Sequence, residues 1–466
     1  MAGVTAAGPA SPGSRRHNRF AGRDLTQGSI PRNLLHLAWP QVIESLLGAA
    51  DQLMDLFWAG RLGAQSIAGI GVGQTFVQIG MTGRQGVDIA MRAMVARAVG
   101  AGDIARANHI ALQAFSLSGI FAFTMALVGI FLTEPLLDLL GVPDDVVAAG
   151  ADYMRAQFVG SGTNAFRMMS GAALQASGDT FTPMRSTMVA RIIHVCLSPA
   201  LIFGWLFFPE LGLMGAAIAN VAAQGVGAAL NFHALFLGTS RLKLTLAGYR
   251  PDFPLLWRLV RTGAPASVTQ GERHFAQLLL VSIVSPFGST ALAVFALTRR
   301  LETFVMQGAR GLGQASGILV GQNLGAGQPE RAKRTVAWGI LFAFAVNLAA
   351  VAVMMTIPGP FISLFDPGDE LGDAAVKWLR IAAIGYLFLG IGQVYQQSYN
   401  IAGDTLVPMV VTLVSIWFIQ QPLAFTLPGL GLGEYGIAWA VVVSVLARLV
   451  FYSAYYFHGY WLRVRL

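Results

Sequence analysis

Three carboxylates in one apolar stretch are the first feature of this sequence that could do chemistry. Glu44, Asp51 and Asp55 are separated by seven and four residues. In an α-helix, which advances 100° per residue, they share one stripe about 40° wide. Crowded carboxylates in a low dielectric repel each other, and burial also opposes ionisation. Such a group can take up a proton near neutral pH and release it when a cation arrives. The alternative is that an arginine neutralises one or two of them as structural ion pairs.

The composition indicates which kind of element carries this stripe. The 466-residue chain is 55% hydrophobic and 12% charged, about half the charge of a soluble domain, and its mean hydropathy is +0.60. Soluble, disordered, collagenous and coiled-coil classes are excluded on this count. The single Cys196 excludes a disulfide framework and a Cys-based metal cluster. A polytopic membrane protein remains.

The net charge of +8 follows membrane topology rather than nucleic-acid binding. Residues 1–33 contain five arginines and lack the apolar core of a signal peptide, which predicts a disordered basic tail. The other Lys and Arg residues concentrate in alternate loops, so we expect both termini in the cytoplasm and the chain in the cytoplasmic (inner) membrane.

Twelve stretches are long enough to cross the ~30 Å hydrocarbon core of a bilayer. The second and eighth carry so much glycine and charge that hydropathy alone would miss them. We place the spans near 34–60, 65–95, 108–132, 151–176, 184–208, 213–238, 258–285, 290–321, 335–357, 375–400, 407–427 and 434–459.

The two halves of the chain are repeats of each other. The shift that places Pro40 on Pro265 also places Gly100 on Gly325 and Gly178-Asp179-Thr180 on Gly403-Asp404-Thr405, without a gap from 40 to 184. Six helices in each repeat predict two lobes related by a pseudo-two-fold axis along the membrane normal. The predicted fold is therefore an all-α membrane protein, with an N-lobe at 34–238, a cytoplasmic linker at 239–257 and a C-lobe at 258–460. Two facing lobes leave a central cleft that rocking would open to each side alternately, as in a carrier. The alternative is a fused duplication in which the two halves pack together without moving as a carrier.

Motifs for enzymatic chemistry are lacking in the sequence. It has no phosphate loop for ATP, no His-Glu-x-x-His zinc motif and no Gly-x-Ser-x-Gly elbow. We therefore predict no enzyme activity, no cofactor and no metal centre.

Several runs resemble the multidrug and toxic compound extrusion (MATE) transporters, nearest to the DinF-like branch. The resemblance covers roughly residues 30–460 and implies antiport, in which cationic amphipathic drugs leave in exchange for H⁺ or Na⁺. The runs that carry it are Leu37-Ala38-Trp39-Pro40, Asp55-Leu56-Phe57-Trp58-Ala59-Gly60-Arg61-Leu62-Gly63, Val320-Gly321-Gln322-Asn323-Leu324-Gly325-Ala326-Gly327 and the two Gly-Asp-Thr-x-x-Pro-Met turns.

The resemblance also suggests roles for individual residues. Asp55 matches the family's coupling aspartate of the first helix, and its repeat mate is Leu280, so the shared scaffold does not require a carboxylate there. Glu272 lies within one residue of an essential glutamate of another branch; a structural ion pair with Arg299 or Arg300 is the alternative. Pro40 and Pro265 are candidate hinges in the first and seventh helices; ordinary prolines in the early turns of these helices are the alternative.

The fifth helix departs from the DinF-like pattern. His194 and Ser198 stand where those relatives carry Asn and Asp, and the Na⁺ site proposed in that branch uses the aspartate. The absence of that aspartate here favours H⁺ over Na⁺ as the coupling ion. His194 points the same way, because histidine titrates near neutrality. The predicted cation-coupling residues are thus Asp55, Glu272, Asp51 and Glu44, and the predicted substrate-cavity residues are His194, Ser198, Asn220, Gln393 and Gln420.

Other charged groups are interpreted as structural. Arg84, Asp88 and Arg92 are spaced by four, and Arg299 and Glu302 by three, so each set can pair along its own helix. Asp179 and Asp404 are predicted loop caps.

Two other function classes remain open. A lipid-linked oligosaccharide flippase of the same superfamily would have more helices and a strongly basic cavity, whereas the first helix here supplies an acidic stripe. A membrane receptor or assembly factor that does not transport would show no ligand-dependent dissipation of an ion gradient. We predict a monomeric transporter whose partners are cationic drugs, H⁺ or Na⁺ and the lipid bilayer, with no nucleic acid.

Overall fold

Twelve long helices and one short helix make up the described part of the chain. A computed structural model describes residues 24–62, 64–139, 144–205, 208–238, 240–357, 372–464 and 466, although some side chains within helices, Asp55 among them, fall outside the description. The helices are α1 (Ile30–Leu62), α2 (Ala64–Gly100), α3 (Ile104–Phe131), α4 (Thr133–Leu139), α5 (Asp144–Ala176), α6 (Phe181–Phe203), α7 (Gly212–Phe236), α8 (Phe253–Val284), α9 (Ser289–Gly325), α10 (Pro329–Thr356), α11 (Gly372–Ala402), α12 (Leu406–Leu432) and α13 (Tyr435–His458).

The long helices form the two predicted six-helix lobes, with α4 as a short addition to the first. Seven of them are apolar enough over 18 residues to cross a membrane on composition alone. The five more polar ones are α1, α2, α5, α8 and α9, and these include the second and eighth spans, as predicted from their glycine and charge. Several of their charged groups, Arg84, Asp88 and Glu272 among them, are buried within the protein, as expected for ionisable residues in membrane spans. Pro40 lies inside α1 and Pro265 inside α8, and both helices continue across the proline.

Glycine contacts between the lobes reproduce the repeat. A Cβ on Gly100 would lie 2.0 Å from the carbonyl oxygen of Gln322, and a Cβ on Gly325 would lie 2.0 Å from the carbonyl oxygen of Arg97. Gly100 and Gly325 are repeat mates, and so are Arg97 and Gln322. The two contacts are therefore the same contact made twice, as a pseudo-two-fold axis between the lobes requires. Only glycine permits the α2 and α9 backbones to approach so closely.

These contacts close the lobes at the end that carries the basic loops. Arg97 donates to the carbonyl oxygens of Val464 and Ala402 at 2.6 Å, Gln322 donates to that of Ala176 at 2.9 Å, and Arg331 donates to that of Gly28 at 2.9 Å. Deeper in the membrane, two side chains of α8 donate hydrogen bonds to α2. Ser267 donates to the carbonyl oxygen of Gly83 at 2.8 Å, and Gln270 donates to the side-chain oxygen of Gln85 at 2.8 Å. These hydrogen bonds hold the lobes together in the half of the molecule that carries the basic loops.

Asp179 and Asp404 cap equivalent helices, as predicted. The Asp179 carboxylate accepts from the Thr182 backbone at 3.1 Å, and that of Asp404 accepts from the Val407 backbone at 3.3 Å. Asp404 is the repeat mate of Asp179, and Val407 is the repeat mate of Thr182. Their repetition fits a role in the scaffold.

Asp252 fixes the start of the C-lobe from the linker. Its side chain accepts a hydrogen bond from the Leu255 backbone at 3.1 Å, which caps α8, and lies 3.1 Å from His109 Nε2 of α3. The hydrogen bond from His109 lowers the pKa of the Asp252 carboxyl below its ordinary value. A carboxyl with a lowered pKa stabilises the fold above its unfolded pKa, and this contribution is lost as the pH falls through the folded value.

We expect Asp252→Ala to lower the Tm of the detergent-solubilised protein slightly, by at most about 3 °C, because the cap is lost. Asp252→Asn should keep most of the cap, since an amide oxygen also accepts. The difference between wild type and Asp252→Ala should narrow below about pH 4, where the carboxyl is protonated. Equal Tm values for the alanine variant and wild type at neutral pH would contradict the capping role.

Candidate functional site

A buried charge cluster joins α1 to α6 in the N-lobe. Asp51 is 8% exposed and His194 is 1% exposed. Asp51 Oδ1 lies 2.7 Å from His194 Nδ1, and Oδ2 accepts a hydrogen bond from the Arg191 guanidinium. An ionised carboxylate only accepts, so the proton on this side of the imidazole is at Nδ1. The arginine partner considered from the sequence is therefore present at Asp51, as an ion pair with Arg191.

Glu44 lies on the same side of α1 but has neutral direct partners. Gln175 donates to Glu44 Oε2 at 2.8 Å, and the Thr187 hydroxyl donates to Oε1 at 3.2 Å. Each partner leads to an arginine: Arg92 donates to the Gln175 side chain, and Arg167 donates to the Thr187 hydroxyl at 3.1 Å. Glu44 thus connects to two guanidinium groups through one neutral side chain each.

The register between α1 and α6 explains this arrangement. Glu44 meets Thr187, and seven residues further along both helices Asp51 meets His194. Because both helices run in the same direction, equal seven-residue steps keep the partners together. Asp55 follows on α1, but its side chain lies outside the described residues, and its coupling role stays a prediction.

Glu272 occupies a different setting in the C-lobe. It is 8% exposed, and neither carboxylate oxygen has a well-formed hydrogen bond. The charges that act on it are those of Arg273 and Arg448. Arg299, the partner considered from the sequence, instead binds Glu302 at 2.7 Å. That pair, like the Arg84–Asp88 pair at 2.7 Å, agrees with the structural interpretation of these charges.

A cavity opens in each lobe at the interface between them. The N-lobe cavity has a volume of about 300 Å³ and includes Asp51, Arg191 and Asn220 in its wall. The C-lobe cavity has a volume of about 280 Å³ and includes Gln420. The two meet at residues common to both walls: Gln78, Gln85 and Gln307.

The remaining predicted cavity residues lie behind these walls. His194, Ser198 and Gln393 are all buried, and His194 contacts Asp51, which lines the N-lobe cavity. Of the predicted substrate-cavity residues, Asn220 and Gln420 line a cavity directly. Of the predicted coupling residues, Asp51 lines the N-lobe cavity, and both Glu44 and Asp51 contact α6.

Sequence reasoning about carboxylates missed the arginines. Arg167, Arg191, Arg310 and Arg448 lie in predicted spans and line the cavities. The signal was present, because an ionisable residue within a membrane span marks a functional site by default.

A family model confirms both the repeat and the resemblance. The MatE model matches residues 40–200 and again residues 265–426. The chain belongs to the MATE family. The two matched segments begin at the aligned prolines, Pro40 and Pro265.

Known MATE proteins cover nearly the whole chain. The probable multidrug resistance protein YoeA of Bacillus subtilis is 25% identical over 407 residues, 86% of this chain and 87% of the relative. The FAD transporter of Shewanella oneidensis is 25% identical over 437 residues, 93% of this chain and 95% of the relative.

A solved structure shows the same fold. The structure of a transporter from Pyrococcus furiosus, reported to have a binding pocket of reverse polarity that suggests a different function, aligns with a TM-score of 0.87 at 21% identity. The alignment covers 95% of this chain and 98% of that one. The protein therefore has the all-α fold of this family, with twelve transmembrane helices in two lobes.

Proposed function

We propose that this MATE protein is a secondary active exporter of small organic compounds that works by alternating access and exchanges its substrate for protons. The observation that carries the proposal is the buried cluster of Asp51, Arg191 and His194 at the wall of the N-lobe cavity. Buried charges persist when they are paired, so adding a proton to Asp51 would break the pair with Arg191 and change the stability of the lobe arrangement. Coupling requires the proton and the substrate to favour different arrangements of the two lobes.

The proton suits this cluster better than Na⁺. Both carboxylate oxygens of Asp51 already accept N–H hydrogen bonds, which compete with an oxygen-coordinated metal ion. His194 and Ser198 also replace the two residues that the DinF-like pattern has in the fifth helix. Na⁺ is therefore the second candidate for the coupling ion.

The charge of the substrate is a separate question. The family resemblance predicts cationic amphipathic compounds, and relatives include both a probable multidrug resistance protein and an FAD transporter. These names support organic substrates of more than one charge. The basic residues of the cavities also keep the lipid-linked oligosaccharide flippase as the alternative, although the helix number fits an exporter.

The proposed setting is the cytoplasmic membrane. The basic loops and both termini would face the cytoplasm, so the described conformation would be open outward. The protein would act as a monomer, because both cavities lie between the lobes of one chain. No enzyme activity is proposed, because the sequence carries no motif for it and the family that the chain matches is a transporter family.

Reconstitution in liposomes tests this function. A pH gradient and a Na⁺ gradient are imposed separately, and the movement of a cationic probe, ethidium, and of an anionic probe, riboflavin 5′-phosphate, is followed by fluorescence. We expect the pH gradient to drive transport of at least one of the two probes, and we expect Asp55→Asn to abolish this transport, with folding checked by size exclusion. Asp152→Asn is the control, since it removes an exposed carboxylate that pairs only at the surface with Arg155.

The other outcomes are equally informative. Normal transport by Asp55→Asn would remove Asp55 from the coupling site. A response to Na⁺ alone would overturn proton exchange. No response of folded protein to either gradient, with ethidium or with the flavins described below, would shift the assignment to the flippase.

A further inference from the structure

The C-lobe cavity is lined by more positive than negative side chains. Its wall contains four arginines and one carboxylate among the described residues: Arg273, Arg299, Arg310, Arg448 and Glu302. Arg299 and Glu302 form an ion pair at 2.7 Å and cancel each other. Three guanidinium groups therefore remain without a carboxylate in the cavity wall.

The partners of these three arginines leave their charges available. Arg273 donates to the neutral side chain of Gln396 at 2.8 Å. Arg310 has no ion pair or side-chain hydrogen bond within the part of the chain that the structure describes, and the Nε atom of Arg448 is buried without a hydrogen-bond partner. Glu272 is the one further described carboxylate that acts on this group, through Arg273 and Arg448. Even with Glu272 ionised, positive charge exceeds negative charge.

Uncompensated arginines inside a membrane protein are costly, so they indicate that a ligand supplies the missing charge. A guanidinium group matches the planar oxygen pairs of phosphate and carboxylate and binds them with two parallel hydrogen bonds. The N-lobe cavity has more compensation, since Arg84 and Arg191 there have carboxylate partners in Asp88 and Asp51. Arg167 in the same wall has neutral direct partners and reaches the Glu44 carboxylate through the Thr187 hydroxyl.

The rest of the cavity wall fits an amphipathic compound. Gln270, Gln277 and Gln420 offer neutral hydrogen-bonding groups, and an apolar side is formed by Leu280, Met306, Leu389, Ile416 and Val441. Ligand sites commonly combine an apolar wall with a few polar groups that fix orientation.

We propose that the C-lobe cavity binds the anionic group of an organic phosphate, with Arg310 and Arg448 as its principal ligands and Arg273 beside them. This inference rests on the proposed transport function and gives its substrate class. It also divides the work between the lobes: the N-lobe carboxylates take the proton and the C-lobe arginines take the anion. The two ligands then do not compete for one group, and their coupling acts through the rocking of the lobes.

Riboflavin 5′-phosphate and riboflavin test the inference, because they differ only by the phosphate and both fluoresce. Proteoliposomes with a pH gradient are expected to transport riboflavin 5′-phosphate at least about tenfold faster than riboflavin. Arg310→Gln should lower the ratio of the two rates about tenfold, since a charge-assisted bond is lost. Arg185→Gln is the matched control, because it removes an exposed arginine on α6 outside both cavity walls, and it should keep the wild-type ratio.

Binding to the detergent-solubilised protein, followed by flavin fluorescence polarisation, separates this inference from the transport proposal. Phosphate-dependent binding that weakens in Arg310→Gln and Arg448→Gln, without transport under any gradient, would support the anion site and overturn the exporter. Transport of ethidium or riboflavin in preference to riboflavin 5′-phosphate would overturn the anion site and leave the exporter standing.

A lipid arm distinguishes the two sources of a phosphate. Liposomes that contain a fluorescent polyprenyl phosphate report its movement between leaflets through dithionite quenching. Movement of this lipid without transport of riboflavin 5′-phosphate would assign the arginines to a lipid-linked phosphate. Failure of both phosphates to bind or move would overturn the inference.

Discussion

Asp51→Asn is expected to reduce proton-driven transport to the level of protein-free liposomes. The amide cannot carry a negative charge, so the pair with Arg191 is lost and the proton no longer changes the charge of the cluster. Removal of one partner also leaves Arg191 uncompensated, which costs about 3 kcal/mol or more at a buried site. Transport is measured in proteoliposomes with an imposed pH gradient, and the Tm is measured in detergent. Cys196→Ser is the control, because Cys196 is on the same helix as His194 but exposed.

The double variant Asp51→Asn/Arg191→Gln separates coupling from stability. Both charges are then absent, so the Tm should recover toward wild type while proton-driven transport stays absent. A purely structural role predicts that transport returns together with the Tm, and that result would remove Asp51 from the coupling mechanism. The pH dependence of any residual transport gives a further check, since loss of the titrating group should flatten it.

The double variant Gly100→Ala/Gly325→Ala is expected to hold the lobes apart at the end where they now meet. Each new Cβ would lie 2.0 Å from a carbonyl oxygen of the opposite lobe. Overpacking of about 1–3 kcal/mol per added methyl shifts the balance between the two lobe arrangements by roughly tenfold or more. Transport should fall by a similar factor, because the arrangement in which the lobes meet at Gly100 and Gly325 becomes disfavoured.

The distance between the lobes is measured with spin labels on cysteines introduced at Glu134 of the N-lobe and Thr290 of the C-lobe, which are both exposed. The background carries Cys196→Ser, so that the native cysteine is not labelled. The distance between the labels should shorten in Gly100→Ala/Gly325→Ala as the far side closes. Gly83→Ala/Gly308→Ala is the matched control: these glycines are also repeat mates on α2 and α9, and a Cβ on either would meet nothing within 4 Å. Unchanged distances and rates in the first variant would show that the lobes tolerate the added methyls.

The class of protein and the duplication could be predicted from the sequence because both depend on one-dimensional patterns. Apolar length predicts membrane spans wherever they occur along the chain, and the constant offset between the repeats needs only an alignment of the chain with itself. The predicted spans match the observed helices to within several residues. The same patterns predicted local pairs along one helix, such as Arg84 with Asp88, since a spacing of four places them together.

Pairings across helices depended on the tertiary structure. Periodicity placed Glu44 and Asp51 on one stripe, but it could not show that α6 lies beside α1 in a register that gives Asp51 both Arg191 and His194. It likewise could not show that Arg310, which has no acidic residue three or four positions away on α9, also has no carboxylate partner from another helix within the described residues.

The sequence by itself thus determined that the chain is a duplicated twelve-helix membrane protein of the MATE type. The tertiary structure decided which of its buried charges are neutralised and which face a cavity. The physical reason is that hydropathy and internal repeats depend only on the order of the residues along the chain. The cost of a buried charge depends instead on the neighbours that packing brings within a few ångströms.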